Sequence, residues 1–501
     1  MCYRKWIESG HATRLGATVL VTYFALFAIV EQARAIPTFA RKYHTSCITC
    51  HTVYPMLNNV GEAFRINGYQ FPMEDDILVK EEPIPLGSES YKDMWPNSVW
   101  PSDLPALPPL FVRAQLREIF NTDPAAGGVK WDQNFPDAVS LGGAGTFGKN
   151  ISAWWEVELS PPEEEVGVER AFVQFSNLFS WDTEDDEDGQ RAGHRWINLP
   201  PRALNLRIGS LEPQVLPHYW SEHSRITIAH PMTNGQYVQA QGFGFEAHQT
   251  AIELHGVIRQ YTSYVVGLAN GGNVAQAAEE DNNNKDFYFR VAHRWFGYPL
   301  DGRLTTVESG DQDQESAVTA SNDVTIRGQS PDADLFAPPQ LDWWRTWSLD
   351  TAVFGWWGTS ELDPALTGLA DVYSDDFRRV GADARLRWRD LDIYALFYWG
   401  HEEFAGLVNN ANLGVEDFYT YAVQGNYYVK PWIMAYTRYE QSIFNESARV
   451  GDQQARLIPG VNFVIRQNMK LQAELVADMT GRDNGDEQAT DQLLFQLDYV
   501  Y

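Results

Sequence analysis

The sequence predicts a mainly β chain: an antiparallel barrel of about sixteen strands, of the kind that sits in a bacterial outer membrane, behind a small α-helical unit. Three observations carry that expectation. From residue 110 onward, apolar and polar residues alternate with a period of two, in runs of about ten residues bounded by Gly, Asn, Asp or Pro. No apolar stretch beyond residue 35 approaches the roughly 20 residues that a helix needs to cross a bilayer, so any crossing must be made by strands. The chain closes on Leu493, Phe495, Leu497, Tyr499 and Tyr501, all on one face, with an aromatic residue last, as in the closing strand of such barrels.

Residues 1–35 have the layout of an export signal. Arg4, Lys5 and Arg14 supply a positive start, Ala17 to Val30 an apolar run, and Ala33-Arg34-Ala35 a small-x-small cleavage site. A retained anchor is the alternative, but the run is short for a span and is closed by Glu31 and Arg34. Cys2 precedes the run, so a mature chain carries only Cys47 and Cys50 of the three cysteines. The charge balance, 38 basic against 67 acidic side chains and a net −29, argues against nucleic acid as a partner.

Residues 36–80 form the small unit, built around Cys47-Ile48-Thr49-Cys50-His51. Two cysteines at this spacing can each add a thiol across one vinyl group of a haem, and the adjacent histidine then binds the iron as proximal ligand. A redox dithiol or half of a zinc site are the alternatives. A four-cysteine zinc site lacks the cysteines, and a thioredoxin-like dithiol would want a βαβ pattern that the chain does not have. The expectation is one covalent haem c on Cys47, Cys50 and His51, in a cytochrome c-like plug. Pro55 is expected to open a helix on which Leu57, Val60, Gly61 and Phe64 share a face. Gly61 would let that face approach a flat macrocycle, and Gly68 would end the helix in the left-handed region. Arg41 and Arg65 are candidate partners for the haem propionates, with solvated arginines as the alternative. A unit of about 45 residues cannot wrap a haem, so the rest of the chain must cover it. For the second axial ligand, His44 ranks first. Behind it stand barrel histidines such as His248 and His255, in phase with Glu246 and Glu253, then Met73; Met56 is expected to pack on the helix instead.

Residues 81–109 hold seven prolines between Pro83 and Pro109 and read as an extended linker. Residues 110–501 are the barrel. Arg113, Gln115 and Arg117 alternate with Val112, Ala114 and Leu116; Asp383, Arg385 and Arg387 with Ala382, Ala384 and Leu386; Gln472 and Glu474 with Leu471, Ala473 and Leu475. Charged and amide residues recurring at strand centres suit a wet lumen, while the other face is apolar and rich in Trp and Tyr. Polar connections near 179–202, 211–240 and 300–342 read as extracellular loops. The acidic run from Asp182 to Asp188 is read as solvated loop, with calcium binding as the alternative. Gly142-Gly143-Ala144-Gly145 lies in a strand pattern with no following helix and is not a phosphate loop.

Residues 35–69 resemble the haem segment of the fused cytochrome–porin family. The matching positions are Pro37, Phe39, Ala40, Arg41, Cys47, Cys50, His51, Pro55, Leu57, Gly61, Phe64, Gly68 and Tyr69. The segment is under a tenth of the chain; the barrel half is similar only in length and pattern. The resemblance implies an outer-membrane protein with one haem and a porin domain, whose best-known relatives oxidise extracellular ferrous iron. Where those carry Thr-Gly, this chain has Tyr43-His44, which makes His44 a candidate axial ligand and leaves the donor open. The expected function is electron transfer from an extracellular donor to a periplasmic c-type cytochrome or other carrier. Its alternatives are outward transfer to an extracellular acceptor, and a solute porin with a haem-bearing plug.

Overall fold

Alternation between a lipid face and a lumen face fixes the architecture, because one residue of slippage would exchange the two. The computed structural model describes residues 38–71, 84–85, 103–104, 110–122, 129–146, 150–161, 165–180, 199–217, 221, 224–232, 245, 248–271, 284–302, 317–320, 324–327, 347–362, 373–403, 407–408, 411–412, 416–444, 453–466, 468–480 and 491–500. The export signal, Met73, the acidic run at 182–188 and most of the linker lie outside the described residues. Of the linker, Ile84–Pro85 pairs antiparallel with Asp103–Leu104.

Sixteen strands close into one barrel, each paired antiparallel with its neighbours in sequence. They are β1 Leu110–Asn121, β2 Trp131–Thr146, β3 Ile151–Ser160, β4 Glu165–Phe175, β5 Asn205–Leu211, β6 Gln249–Ile258, β7 Thr262–Ala269 and β8 Asp286–Phe296. The second half is β9 Ser348–Leu362, β10 Tyr373–Trp388, β11 Leu391–Glu402, β12 Glu416–Lys430, β13 Ile433–Phe444, β14 Gln453–Arg466, β15 Met469–Asp478 and β16 Gln492–Val500. Closure is made by β16 on β1, with Gln492 opposite Asn121 and Val500 opposite Arg113. No sheet edge is left in the barrel, as a bilayer demands.

The two faces invert the pattern of a water-soluble protein. On β6, Ile252 is 54% exposed while the next residue, Glu253, is 0% exposed. Arg207, Asp383, Arg385, Gln424 and Glu474 are buried inside, and Leu268, Val353, Phe397 and Tyr427 stand exposed outside. Buried charge of this density is stable only when paired. Arg113 pairs with Asp498 at 2.9 Å, Arg379 with Glu402 at 2.5 Å and Arg385 with Asp392 at 2.7 Å.

Strand parity assigns the loops to rims. Turns 389–390 and 431–432 are two residues long and follow even-numbered strands, as does the turn at 467–468. Exposed Trp295, Trp347, Trp388 and Trp432 lie at that same rim, the aromatic girdle of an interface. The long connections near 179–202 and 300–342 follow β4 and β8, so they share the rim of short turns. Residues 181–198 and most of 303–346, on which the expectation of extracellular loops rests, lie outside the described residues. The connection at 211–240 leaves the opposite rim, but its described part folds inward rather than outward. The Ile228 and Ala229 amides donate to the inward carboxylate of Glu474 at 3.0 and 2.7 Å, and Met232 N–H donates to Glu440 at 2.9 Å. Arg438 reaches Thr227 Oγ1 at 2.8 Å. Polarity made this segment look like a surface loop; its backbone polar groups are instead satisfied by lumen side chains.

The N-terminal unit packs against the same inner wall. It consists of α1 (Thr38–Lys42), a 3-10 turn at Cys47–Thr49, a short hairpin of His51–Val53 with Met56–Leu57, and α2 (Asn59–Ile66). Pro55 turns the hairpin, after a cis peptide bond, and does not open the helix. The start is set by Asn58, whose side-chain oxygen accepts from Gly61 N–H at 2.9 Å. At the other end Gly68 is left-handed (φ 73°) and Tyr69 N–H donates to Phe64 C=O at 2.9 Å, the closure expected of it.

Candidate functional site

The sequence Cys47 to His51 is held by one side chain. Asn58 Nδ2 donates to the carbonyls of Ile48 and Thr49, each at 3.1 Å, while its oxygen caps α2. Its own N–H donates to Cys50 C=O at 2.9 Å. α2 therefore lies directly on the cysteine turn. A Cβ on Gly61 would come within 2.1 Å of Cys50 C=O, so the glycine serves this backbone contact. Gly61 also lines the cavity that the cysteines and His51 share.

Cys47, Cys50 and His51 line one cavity, and they share it with Tyr43, Tyr54, Phe64 and Phe71 from the unit and Phe111, Trp154 and Val500 from the barrel. The lining of this cavity is mostly apolar. Trp154 occupies an inward strand position where the lumen pattern calls for a polar residue. Its ring packs on Phe39 at 6.3 Å, Tyr69 at 5.1 Å and Phe111 at 5.6 Å, and Arg170 sits over it at 4.9 Å. The barrel thus supplies the cover that a unit of this size cannot. Sequence reading missed Trp154 and Phe111; the signal was an aromatic residue out of phase with the polar face.

The chemistry of the three residues suits covalent haem. Cys47 and Cys50 are not joined in a disulfide. Burial raises Cys47, and burial with the neighbouring Cys47 pushes Cys50 up to about 12, so both are thiols at neutral pH. The His51 ring shares a 3.0 Å hydrogen bond between Nδ1 and Pro55 C=O; with Nδ1–H as donor, Nε2 is the nitrogen left to bind iron. Burial, against the backbone hydrogen bonds, lowers His51 to about 4, which keeps the imidazole neutral, the ligating form. Among the described residues, no three His, Cys, Asp or Glu side chains gather into a metal site of their own.

The remaining candidates scatter. Arg65 lines the cavity. Arg41 is outside its lining and donates instead to Leu110 C=O at 2.6 Å, tying α1 to β1. His44 is exposed, with a left-handed backbone (φ 48°), and does not line the cavity. Met56 packs on the barrel rather than on α2: the Tyr394 hydroxyl donates to its sulfur at 2.9 Å. His248 lies 3.7 Å from Glu169, and His255 points into a second lumen cavity on the other side of Arg65 and Tyr69.

What the sequence did not single out is Glu62. From α2 it reaches Arg294 at 3.0 Å and Arg385 and Arg387 at 2.7 Å each, locking the unit to β8 and β10. Burial alone would raise its carboxyl, but the charges of Arg387, Arg385 and Arg294 hold it well below the usual carboxylate range. Further ties run from Lys42 Nζ to Thr146 Oγ1 at 3.0 Å and from Asn67 Nδ2 to Asp301 C=O at 2.9 Å. All lie toward the rim of short turns.

The fold is a closed sixteen-stranded antiparallel barrel with a folded unit packed against its inner wall. No family model matches the chain, and no curated relative does. Solved structures to which it is similar include OmpF of Salmonella typhi in complex with daunomycin, at 11% identity and a TM-score of 0.48, covering 78% of this chain and 97% of that one. An anion-selective porin from Comamonas acidovorans aligns at 10% identity and a TM-score of 0.46, over 78% of this chain and 98% of that one. The loop L8 deletion mutant of Vibrio cholerae OmpT aligns at 8% identity and a TM-score of 0.44, over the same shares, 78% and 98%.

Proposed function

We propose that this chain is an outer-membrane barrel that carries one haem c on its N-terminal unit and moves electrons between an extracellular donor and a periplasmic carrier. The observation that carries the reading is the convergence of Cys47, Cys50 and His51 on one apolar cavity, with His51 Nδ1 engaged by Pro55 C=O. A haem bound there would supply a one-electron iron couple. The chain's own part is attachment through two thiols, orientation of the imidazole, and exclusion of water by Trp154, Phe111, Phe64 and Tyr43. The ion pairs Arg113–Asp498 and Arg170–Glu156 border the cavity and leave it no net charge from those four groups. Seating of the unit toward the rim of short turns, the rim that faces the periplasm in outer-membrane barrels, supports a periplasmic protein as one partner. The apolar exterior supports contact with outer-membrane lipid, and the resemblance of residues 35–69 to fused cytochrome–porins supports ferrous iron as a donor to try first.

Haem-loaded protein in liposomes, given ferrous iron outside and a soluble c-type cytochrome inside, is expected to reduce the enclosed cytochrome. A redox titration separates inward from outward transfer by the potential of the haem relative to each partner. The closed barrel and its second lumen cavity favour one other reading, a solute porin in which the unit serves as a plug. Ion conductance in planar bilayers, together with no reduction of the enclosed cytochrome by any donor, would favour that reading instead.

A further inference from the structure

The second lumen cavity lies between α2, residues 212–217 with Ser221, and the walls of β4–β10. It concentrates an unusual defect. Of the seventeen buried side-chain nitrogen and oxygen atoms that have no hydrogen-bond partner among the described residues, five belong to residues that line it. They are Nε of Arg65, Arg170 and Arg207, Nε2 of His255 and Oγ of Ser221. Each can donate a hydrogen bond, the histidine in its Nε2–H tautomer. Arg207 and His255 are both only 5% exposed. They are brought together by the β5–β6 register, in which Arg207 faces Glu253 and Asn205 faces His255, two residues along on the same inward face.

The charges around the cavity do not cancel the defect. Arg207 pairs with Glu253 and Arg170 with Glu156, each at 2.5 Å, and Arg290 pairs with Asp383. Arg294 pairs with Asp350 and, with two further arginines, Glu62. Glu212 adds to the field on Arg170. Glu253 is saturated, since Tyr288 Oη and Gln214 N–H also donate to it at 3.1 and 3.2 Å. Arg65 alone among the lining guanidinium groups has no carboxylate within bridging distance among the described residues. Arg65 feels the charges of Glu62 and Glu253 at a distance but is bridged by neither, and a cation without a direct partner beside a set of unmet donors is relieved by an anion with several acceptor oxygens.

We infer that this cavity is a carboxylate seat, in which Arg65, Arg207, His255 and Ser221 hold the oxygens of a small organic acid entering through the lumen. The same chemistry has one other source, a propionate of a haem in the adjoining cavity, because Arg65 and Arg170 line both spaces. The seat is built from the chain's own residues and does not require that haem be attached.

The test is calorimetric titration of the purified full-length protein with sodium malonate, in two forms: haem-loaded, and the haem-free Cys47→Ala/Cys50→Ala variant. Saturable one-site binding is expected in the haem-free form. Arg65→Gln and His255→Phe should each weaken it by about tenfold or more, the worth of one charge-assisted hydrogen bond. His255→Phe removes a nitrogen that has no partner and keeps the ring volume, so its effect reads binding rather than folding. Binding in both forms identifies a free acid as the occupant; binding lost only on haem loading identifies the haem carboxylate. No saturable binding in either form, as for a cavity that takes only water, would overturn the seat. So would affinity that both variants leave unchanged.

Discussion

Asn58 performs three tasks with one amide: it caps α2, and it holds two carbonyls of the cysteine turn in place. Asn58→Ala loses the cap and both donated bonds, roughly 2 kcal/mol of local stability. The expected outcome is a smaller fraction of chains bearing covalent haem, measured by mass of the intact protein, with the barrel still assembled. Asn58→Asp keeps the cap acceptor and loses the donors, so it should fall between. At His44 the geometry points the other way. Its exposure and left-handed backbone predict that His44→Ala leaves the Soret band and the midpoint potential unchanged, whereas a shifted spectrum would put His44 on the iron. The sequence singled out the cysteines and His51 by their local spacing, and the structure brings the three onto one cavity. The sequence ranked His44 above the barrel histidines, but which rings share a cavity depends on strands hundreds of residues away, and His44 does not line it.

At the scale of elements, α2 is the hinge of the account, and Glu62 is its lock. No spacing in the sequence announces that role: Arg294, Arg385 and Arg387 are more than 230 residues away and are gathered only by barrel closure. The helix itself was legible from Leu57, Val60, Gly61, Phe64 and Gly68, but its start was placed at Pro55 because the hairpin of His51–Val53 with Met56–Leu57 leaves no periodic trace. Breaking a buried ion pair by removing one partner costs about 3–5 kcal/mol. Glu62→Gln should therefore release the N-terminal unit to proteases while the barrel stays intact, read from the heat-dependent shift of the band on a gel. The pH dependence follows from the depressed carboxyl. The unfolded carboxyl titrates near 4.3, and the folded one lies below it. The stabilisation is thus fully present above the unfolded value and is lost only as pH falls through the folded one. Protection of the unit should persist unchanged from pH 7 down to about pH 4 on this account; loss of protection near pH 6 would contradict the lock.

For the whole molecule, the period of two together with the even strand number of outer-membrane barrels led to about sixteen strands, and sixteen close the barrel. The same rule misled at the loops. Polar composition marked 211–240 as outside, whereas the lumen of a barrel is itself polar and takes in Ile228, Ala229 and Met232 through Glu474 and Glu440. Ending the chain at Glu487 removes β16, the strand that closes on β1, and leaves two edges open to lipid. That truncated chain should fail to assemble and be degraded, with no heat-modifiable band in the outer-membrane fraction.

The central claim joins two properties in one polypeptide, a closed membrane barrel and a covalent haem on Cys47 and Cys50. Haem staining of the outer-membrane fraction on a denaturing gel tests both together. The account predicts one band whose migration changes on boiling, which keeps its haem after denaturation and loses it in the Cys47→Ala/Cys50→Ala variant. A heat-modifiable band that carries no haem, with both thiols open to alkylation, would contradict it.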